Sequence, residues 1–584
     1  MSPDASSTQG GSASRDRSVE QTPPGLLNAS GGPDASPHPS RSSGSIASEL
    51  PLRWAGTRAF LIECSSLKEV MRWHTQLSAH PYPGQLDVLA AAETVLLTFS
   101  THAAARKAAS DVVTARLDHA DAATGKTVEI DVIYDGEDLA EVGELTGLGE
   151  RGVIEAHTGT EWTAAFGGFA PGFAYLVAPG DPLEVPRRDS PRTAVPTGSV
   201  ALAGRFSAVY PQRSPGGWQL IGHTNAPLWD VNREEPSLIR PGDTVKYRAV
   251  RELAEVTNDR AASAESDATE EVTRALVIED PGMQSLLQDT GRPGLGDLGV
   301  VASGAADHAS AAQANRLVGN SPDAAVIETM LGGLSVTARG HHVVALTGAP
   351  VPTRIEGPNG NRSVSINAPF ALYDGERLTL DAPSAGLRSY LAVRGGFATV
   401  EVLGSRSTDV MSGIGPEPLE SGDELPVPNV AAGRAVGDPE NPAVAFPETD
   451  EPTVLRVTPG PRDDWFTPEA LKTFSSQEWT VSSQSNRVGV RFEPPADDNR
   501  LERSREGELA SEGVVAGSLQ VPHSGVPVLF LADHPVTGGY PVIAVVVPED
   551  LPRAAQLPPG VSVRFTIIDS PRPANAPQTS GESA

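Results

Sequence analysis

FGGFAPGFAYLVAPGDPLEVPRRDSPRTAVPTGSVALAGRFSAVYPQRSPGGWQLIGHTNAPLW, residues 166–229, decides the fold class. Gly, Pro and Ser recur every few residues, yet aromatic and aliphatic residues sit between them. A disordered linker lacks those apolar residues. The pattern predicts short strands joined by tight turns, with Gly where the backbone takes positive φ or approaches another group closely. So much fixed turn chemistry shapes a site on a β scaffold, without saying which site.

Working outward, the pattern ahead of this stretch differs. Residues 1–50 are rich in Ser, Gly, Pro and Asp and read as a disordered tail. AFLIECSS (59–66), TVLLTFS (94–100) and TVEIDVIYD (127–135) suit strands. LKEVMRWHTQLSAH (67–80), with Leu67, Val70, Met71, His74 and Leu77 near one face, suits a helix. HAAARKAASDVVTARL (102–117) and GEDLAEVGELTG (136–147) also have helix character. This alternation predicts a small α/β domain over 53–155, followed by short β segments over 156–250. The acidic stretch 251–273 reads as a linker. A second β-rich region runs over 274–568, with a helix expected at 305–319, and residues 569–584 form a polar tail. The fold class is α+β, mostly β.

An echo links the two β regions. GSV (198–200), GGWQLIG (216–222) and PGDTVKY (241–247) are matched in order by GSL (517–519), GGYPVIA (538–544) and PGVSVRF (559–565). The shared order predicts that one barrel-like unit is duplicated.

At 584 residues the chain exceeds one core; about three or four domains are expected. With 74 acidic and 45 basic residues, the net charge of −29 disfavours nucleic acid or an anionic membrane as partner and serves solubility. No apolar run approaches the ~18 residues of a membrane span, and the N-terminus has no secretory pattern. Cys64 is the single cysteine, which fits a reducing cytosol. These features point to a cytoplasmic enzyme or a component of one. Lysine is confined to Lys68, Lys107, Lys126, Lys246 and Lys472, so arginine is the default cation for a bound carboxylate or phosphate.

Two motifs are decoys. GKT (125–127) lacks the Gly five positions before its Gly-Lys that a phosphate loop needs; Ala120 stands there. His341 and His342 are adjacent, so a strand would point them to opposite faces. Better candidates are the longer loops. APGFAYL (170–176) brings Pro171 and Gly172 before two aromatics, in a turn that either packs a core or lines a ligand. SPRTAVPTGS (190–199) carries Arg192 and Ser199; an arginine on a Pro-stiffened loop can present a fixed fork to an anion or stay solvated. QDTGRPGLGDLG (288–299) sets Asp289, Arg292 and Gly294 in a loop whose backbone N–H groups could cradle an anion. RSYLAVRGGFATVEVLGSRSTD (388–409) brings Arg394, Gly395, Arg406 and Asp409 to strand ends, and LADHPVTGGYP (531–541) brings Asp533, Thr537 and Gly538 to a tight turn. For each polar residue a structural hydrogen bond competes with a catalytic role.

GGFAPGFAYL, SPRTAVPTGSVALAG and VYPQRSPGGWQLIGHT resemble the B component of bacterial 5-oxoprolinase, the Kip-inhibitor-like family also called allophanate hydrolase subunit 1. QDTGRPGLGDLGVVASGAADHASAAQANRLVGN, LAVRGGFATVEVLGSRSTD, SNRVGVRFE and GSLQVPHSGVPVLFLADHPVTGGYPVIA resemble the C component, the Kip-antagonist-like allophanate hydrolase subunit 2. The resemblance covers most of 55–250 and 275–568 and describes a B–C fusion. It implies cyclophilin-like β-barrels, one in the B half and two in the C half. It also implies ATP-dependent opening of 5-oxoproline to glutamate with a separate A component, in an oligomeric complex, with ATP and Mg²⁺ as cofactors. Such a site needs cations around developing phosphate charge and donors for the substrate carboxylate. By residue type, Arg192, Arg292, Arg394 and Arg406 suit that task, and Asp289 and Asp409 could hold Mg²⁺ or orient an arginine.

Related families offer other readings. The same folds occur in the carboxyltransferase region of urea carboxylase, but no lysine here has the neighbouring Met of a biotin hairpin, so biotin would have to come in trans. An allophanate hydrolase needs a Ser-Ser-Lys amidase segment, which this sequence lacks. Kip-type proteins can also act by binding, as a kinase inhibitor and its antagonist.

Overall fold

In the computed structural model the described residues are 50–117, 125–188, 190, 192–253, 273–358, 360–429, 435–446, 451–496 and 499–568. The expected tails, and all but the ends of the expected linker, lie outside them. Strands β1 (Leu52–Trp54), β2 (Ala59–Glu63), β3 (Gln85–Ala90) and β4 (Thr94–Phe99) form an antiparallel sheet in the order β1-β2-β4-β3. Helices α1 (Leu67–Ala79) and α2 (His102–Thr114) start at Ser66 and Thr101, whose side chains accept the N–H three residues on. The face of α1 that packs inward holds Leu67, Val70, Trp73, His74 and Leu77. Trp73 rather than Met71 completes it, because the larger indole reaches the core with Phe60, Val95 and Phe99.

The expected boundary near 155 does not separate two units. The first barrel uses β5 (Thr127–Val132), β6 (Trp162–Gly168), β7 (Ala170–Val177), β9 (Ser199–Ala203), β10 (Phe206–Val209), β12 (Gln219–His223) and β13 (Thr244–Ala249), with β8 (Arg192–Val195) and β11 (Ser214–Gly216) as a flanking ribbon. β5 pairs in parallel with β13, so residues 127–132 belong to the barrel, not to the α/β unit. Helices α3 (Leu139–Thr146) and α4 (Gly149–Gly159) follow β5, and Leu139, Val142 and Val153 enter the barrel core. The strand order is β12-β9-β10-β7-β6-β13-β5, and an Ile133–His223 bridge joins its two ends.

In the second half, β14 (Ala275–Pro281), β15 (Ser285–Gln288), α5 (His308–Leu317), β16 (Val326–Met330), β17 (Leu334–Arg339), β18 (His342–Gly348), β19 (Thr353–Glu356), β20 (Pro369–Leu372), β21 (Arg377–Leu380), β22 (Arg388–Val393) and β23 (Glu424–Pro426) come first. They form two sheets, β19-β21-β17-β14-β23 and β15-β16-β22-β18-β20, around a shared core of Ile, Leu and Val. The expected helix is α5, laid on this unit through Ala311, Ala314 and Leu317. Next come β24 (Thr453–Pro459), α6 (Pro468–Ser476), β25 (Trp479–Val481), β26 (Gly489–Glu493), β27 (Glu512–Gly513), β28 (Ser518–Gln520), β29 (Val528–Phe530), β30 (Thr537–Gly538), β31 (Val542–Val546), α7 (Leu551–Ala554) and β32 (Ser562–Ile567). Seven of these strands close a barrel in the order β24-β31-β28-β29-β26-β25-β32.

The sequence echo is an echo of topology. β9, β12 and β13 carry the first set of motifs; β28, β31 and β32 carry the second. Replacing each strand of the first barrel by its counterpart reproduces the order of the last, including the parallel pair, β5 with β13 and β24 with β32. Gly198 and Gly517, with φ of 80° and 93°, open β9 and β28, and each donates its N–H to the adjacent strand, at Tyr210 and Phe530. Only glycine takes that conformation without strain.

Candidate functional site at the seam of the two halves

Three motifs read separately in the sequence meet in space. The β6–β7 hairpin of the first half, FGGFAPGF, packs on the GRPGLGDLG loop and the HPVTGG turn of the second. Its glycines allow this: a Cβ on Gly167 would overlap the Asp297 carbonyl oxygen, and one on Gly168 would crowd the Thr537 side chain. From the other side, a Cβ on Gly299 would overlap the Ala170 carbonyl. Phe169 sits at φ 67°, and its N–H donates to Thr537 Oγ1 at 3.2 Å. A non-glycine residue in the left-handed region is held by its surroundings.

Ionisable groups cluster on both flanks of the contact. On one, Asp87 of β3 accepts the Gly296 N–H at 3.1 Å, beside Asp297 and buried His74. Burial, reinforced by the Asp297 charge, pushes Asp87 up to about 6 despite its backbone donors. Burial pushes His74 down, and the Asp297 carboxylate only partly offsets it. On the other flank an aromatic cluster carries two hydroxyls. Tyr175 stacks on Phe166 at 4.4 Å and meets Trp218 edge-on; Tyr210 meets Phe173 edge-on at 5.3 Å. Burial raises both phenols, while the Arg187 charge acts in the opposite direction on each. The side chains of Ser511 and Thr537, on the second half, partly offset that rise at Tyr175. A cavity of about 550 Å³ opens here, lined by Pro186, Arg187, Arg188, Gly204 and Glu508.

The segments that lead into these two second-half loops also meet a third, Ser405–Asp409, in a buried polar cluster. Asp289, Arg292, Asp409 and Asp533, all chosen from sequence, gather there, and all are buried. Asp289 is saturated: Oδ1 accepts from Gly291 N, Ser405 Oγ and Ser407 Oγ, and Oδ2 from Arg406 N. Arg292 donates to the carbonyls of Val402 and Ser407, but its Nη1 has no partner. Asp409 Oδ2 also has none. Burial, then the nearby Asp533 charge, raises the Asp409 carboxyl. Asp533 is held by Arg487, which also donates to Glu328 at 2.5 Å and to the Gly304 carbonyl at 2.7 Å. Arg487 opposes burial with two carboxylates and stays charged.

Comparison with known proteins places these loops. Residues 50–239 match the carboxyltransferase domain, subdomain C and D, and residues 298–567 the carboxyltransferase domain, subdomain A and B. The second half is 36% identical over 293 residues to the C component of 5-oxoprolinase from Escherichia coli (strain K12), covering 50% of this chain and 90% of that protein. The chain belongs to this carboxyltransferase-domain family. Within the first half, 123 residues are 49% identical to the B component of 5-oxoprolinase from Escherichia coli O157:H7, covering 20% of this chain and 56% of that protein. The chain therefore spans little more than half the length of that B-component relative. A solved structure, that of TTHA0988, superposes with a TM-score of 0.74 at 33% identity, covering 87% of this chain and 99% of that one. A B-like and a C-like part thus follow one another in one chain.

The remaining sequence candidates are dispersed across this carboxyltransferase fold. Gly172 lies in β7 against Leu228 and Trp229, Pro171 lies beside Gly299 in the seam, and Gly294 lies near Leu86 at its edge. Arg192 binds Asp138 at 2.8 Å in the first barrel, and Ser199 turns back onto the Pro196 carbonyl. Arg394 donates to the Val318 carbonyl at the end of α5, and Gly395 N–H donates to Asn320. Arg406 reaches the Thr399 carbonyl and Glu401. Gly538 lies against the Gln520 amide. The four arginines therefore do not converge on one anion. The sequence reading missed Tyr175, Arg187, Tyr210, Ser511, Arg487 and Glu328. Arg187 carries a weak signal, the Arg-Arg pair in PRRDSPR, and Tyr175, Tyr210 and Arg487 lie in the motifs APGFAYL, VYPQRSPGGW and SNRVGVRFE; Ser511 and Glu328 carry none, since their partners lie far away in sequence.

Proposed function

We propose that this chain supplies the B and C components of an ATP-dependent 5-oxoprolinase, working with a separate protein of the A-component type, and that it holds the lactam at the seam. One observation carries the reading. The B-like and C-like motifs, joined in one chain, are the segments that pack on each other, through contacts only glycine permits. The lactam amide is a poor electrophile with a poor leaving group. Transfer of the ATP γ-phosphoryl group to the carbonyl oxygen would release ADP and activate that carbon towards water; the C–N bond would then break, the ring nitrogen would leave as the protonated amine, and hydrolysis of the acyl phosphate would release phosphate and glutamate. The chain's own residues would orient the ring between aromatic walls and present hydroxyl and guanidinium donors to its oxygens.

The residues do not fit a Mg²⁺ site. Asp289 has donors on both oxygens, and no group of three metal-type ligands occurs among the described residues. No step is therefore assigned to Mg²⁺ here. The unpartnered Nη1 of Arg292 and Oδ2 of Asp409 remain proposed contacts for a polar ligand or a water behind the seam. The proposed setting is the cytoplasm, where ATP is supplied.

The test is a coupled assay. The purified chain is mixed with a protein of the A-component type, 5-oxo-L-proline, ATP and Mg²⁺, and glutamate and ADP are followed. Product is expected only when both proteins are present. Full turnover by this chain alone, or none with the partner, refutes the reading.

A further inference from the structure

His534 lies on the turn that joins the seam to the buried polar cluster. At one end of the turn Asp533 is fully buried, held by Arg487 at 2.8 and 2.9 Å and by Ser303 Oγ at 2.7 Å. At the other end Thr537 Oγ1 accepts the Phe169 N–H of the first half, and Val536 packs with Leu61, Leu89 and Leu96 of the small sheet. The turn is thus pinned on both sides. His534 between them is half-buried, its ring stacked on Phe530 at 5.8 Å. Its Nδ1 lies 2.7 Å from the Pro535 carbonyl oxygen. A carbonyl only accepts, so Nδ1 carries the hydrogen and the neutral ring keeps its lone pair on Nε2. Nε2 bonds to no group among the described residues and is not sealed from solvent. His157, by contrast, uses both ring nitrogens, on Tyr134 and Ser207.

Resting on the 5-oxoprolinase reading above, we propose that His534 Nε2 is the general base for the water that attacks the activated lactam carbon. Nε2 takes one hydrogen of the water as the water oxygen bonds to that carbon. The imidazolium then gives this proton to the ring nitrogen as the C–N bond breaks. The second hydrogen of the water leaves the new hydroxyl for the same nitrogen as the carbonyl re-forms. The ring N–H thus ends as the protonated amine, and the histidine ends neutral. A base for this step has to be uncharged near neutral pH and fixed in orientation. Burial lowers the His534 value, and the Pro535 carbonyl and the Asp533 charge only partly offset it, so the ring is uncharged. Asp533 is itself balanced by Arg487, which keeps its pull on the imidazole small. The bond to Pro535 and the pinned turn supply the orientation.

His534→Asn is the test, because the Asn amide nitrogen stands where Nδ1 stands and keeps the bond to Pro535, while nothing replaces Nε2. Glutamate release is followed between pH 5 and 9 with the full chain, a protein of the A-component type, 5-oxo-L-proline, ATP and Mg²⁺. The melting temperature is read on the same samples. The wild-type kcat/KM should fall towards acid with a midpoint below ~6.5, the value of an unperturbed histidine. His534→Asn should melt with the wild type, lose about 10²–10⁴-fold in rate, and lose that acid limb. His534→Gln carries the same expectation and is read if the Asn variant melts early. A variant with near-normal turnover, or a slow one that keeps the acid limb, overturns the inference and leaves the 5-oxoprolinase reading intact. A wild-type profile without an acid limb also overturns it, whatever the variants do. If the wild-type chain releases no glutamate with its partner, both readings fall together.

Discussion

Trp162 and Trp479 occupy the same place in two different barrels. Each indole N–H donates to the carbonyl five residues earlier, His157 at 3.0 Å and Phe474 at 3.2 Å, and each tryptophan pairs across to the same strand position, Val245 and Val563. His157 stacks on Tyr247 at 4.1 Å where Phe474 stacks on Phe565 at 4.8 Å. The first barrel thus keeps an imidazole where its duplicate keeps a phenyl ring.

That imidazole has an acid cost. Burial drives His157 down to about 3, below the ~6.5 of an unfolded histidine. Between those values the unfolded chain binds a proton that the native chain does not, so stability is present above about pH 6.5 and is lost as pH falls. We expect the first barrel to lose roughly 2 kcal/mol between pH 7.5 and 5 from this group. His157→Phe should flatten that slope while costing about 1–2 kcal/mol at neutral pH, because Tyr134 and Ser207 lose their ring-nitrogen partner. Urea melts at both pH values decide it; an unchanged slope rules His157 out as its source.

Arg487→Met removes the cation shared by Glu328 and Asp533, leaving both carboxylates buried. Breaking such a pair costs about 3–5 kcal/mol. The second half should unfold at markedly lower urea. A loss below ~1 kcal/mol would mean that the network is hydrated or already neutral.

Gly167→Ala should lower the coupled rate and the melting temperature together, since its Cβ would meet the Asp297 carbonyl. Gly159→Ala, at the end of α4 with open space around it, should be neutral or stabilising by up to ~1 kcal/mol. Equal behaviour of the two variants would show that the seam yields freely.

Asp87 titrates in the opposite sense to His157. Its native value of about 6 lies above that of an unfolded aspartate, so its contribution is present at low pH and is lost as pH rises through 6. Asp87→Asn should therefore stabilise at pH 8 by the order of 1 kcal/mol and gain little at pH 4. A greater gain at pH 4 than at pH 8 would reverse the assignment.

What was legible in the sequence was local or repeated. The periodicity of 67–80 marked α1, and three short echoes anticipated a strand order shared by two barrels. Helix α4 went unread because GERGVIEAHTG turns only Val153 and His157 to the core. β5 was assigned to the wrong unit because its parallel partner, β13, lies more than a hundred residues on. The same distance hides the polar interior: Glu328, Arg487 and Asp533 are unremarkable singly and become a network only when β16, the loop before β26 and the turn after β29 converge. The backbone N–H groups of GRPGLGDLG do meet an anion, but it is the chain's own Asp87 carboxylate at Gly296, while Gly299 makes room for the Ala170 carbonyl.

Parallel closure has a consequence for the order of assembly. In each barrel the first and last strands are neighbours, β5 with β13 and β24 with β32, so neither ring can be sealed until its final strand has left the ribosome. Long-range pairing of this kind slows folding. The B-like ring can seal once residue 249 has emerged, while the C-like ring is still being made. Its hairpin is then a finished surface on which the later loops settle as they appear, and joining the two parts in one chain replaces a search between separate proteins with a tethered one.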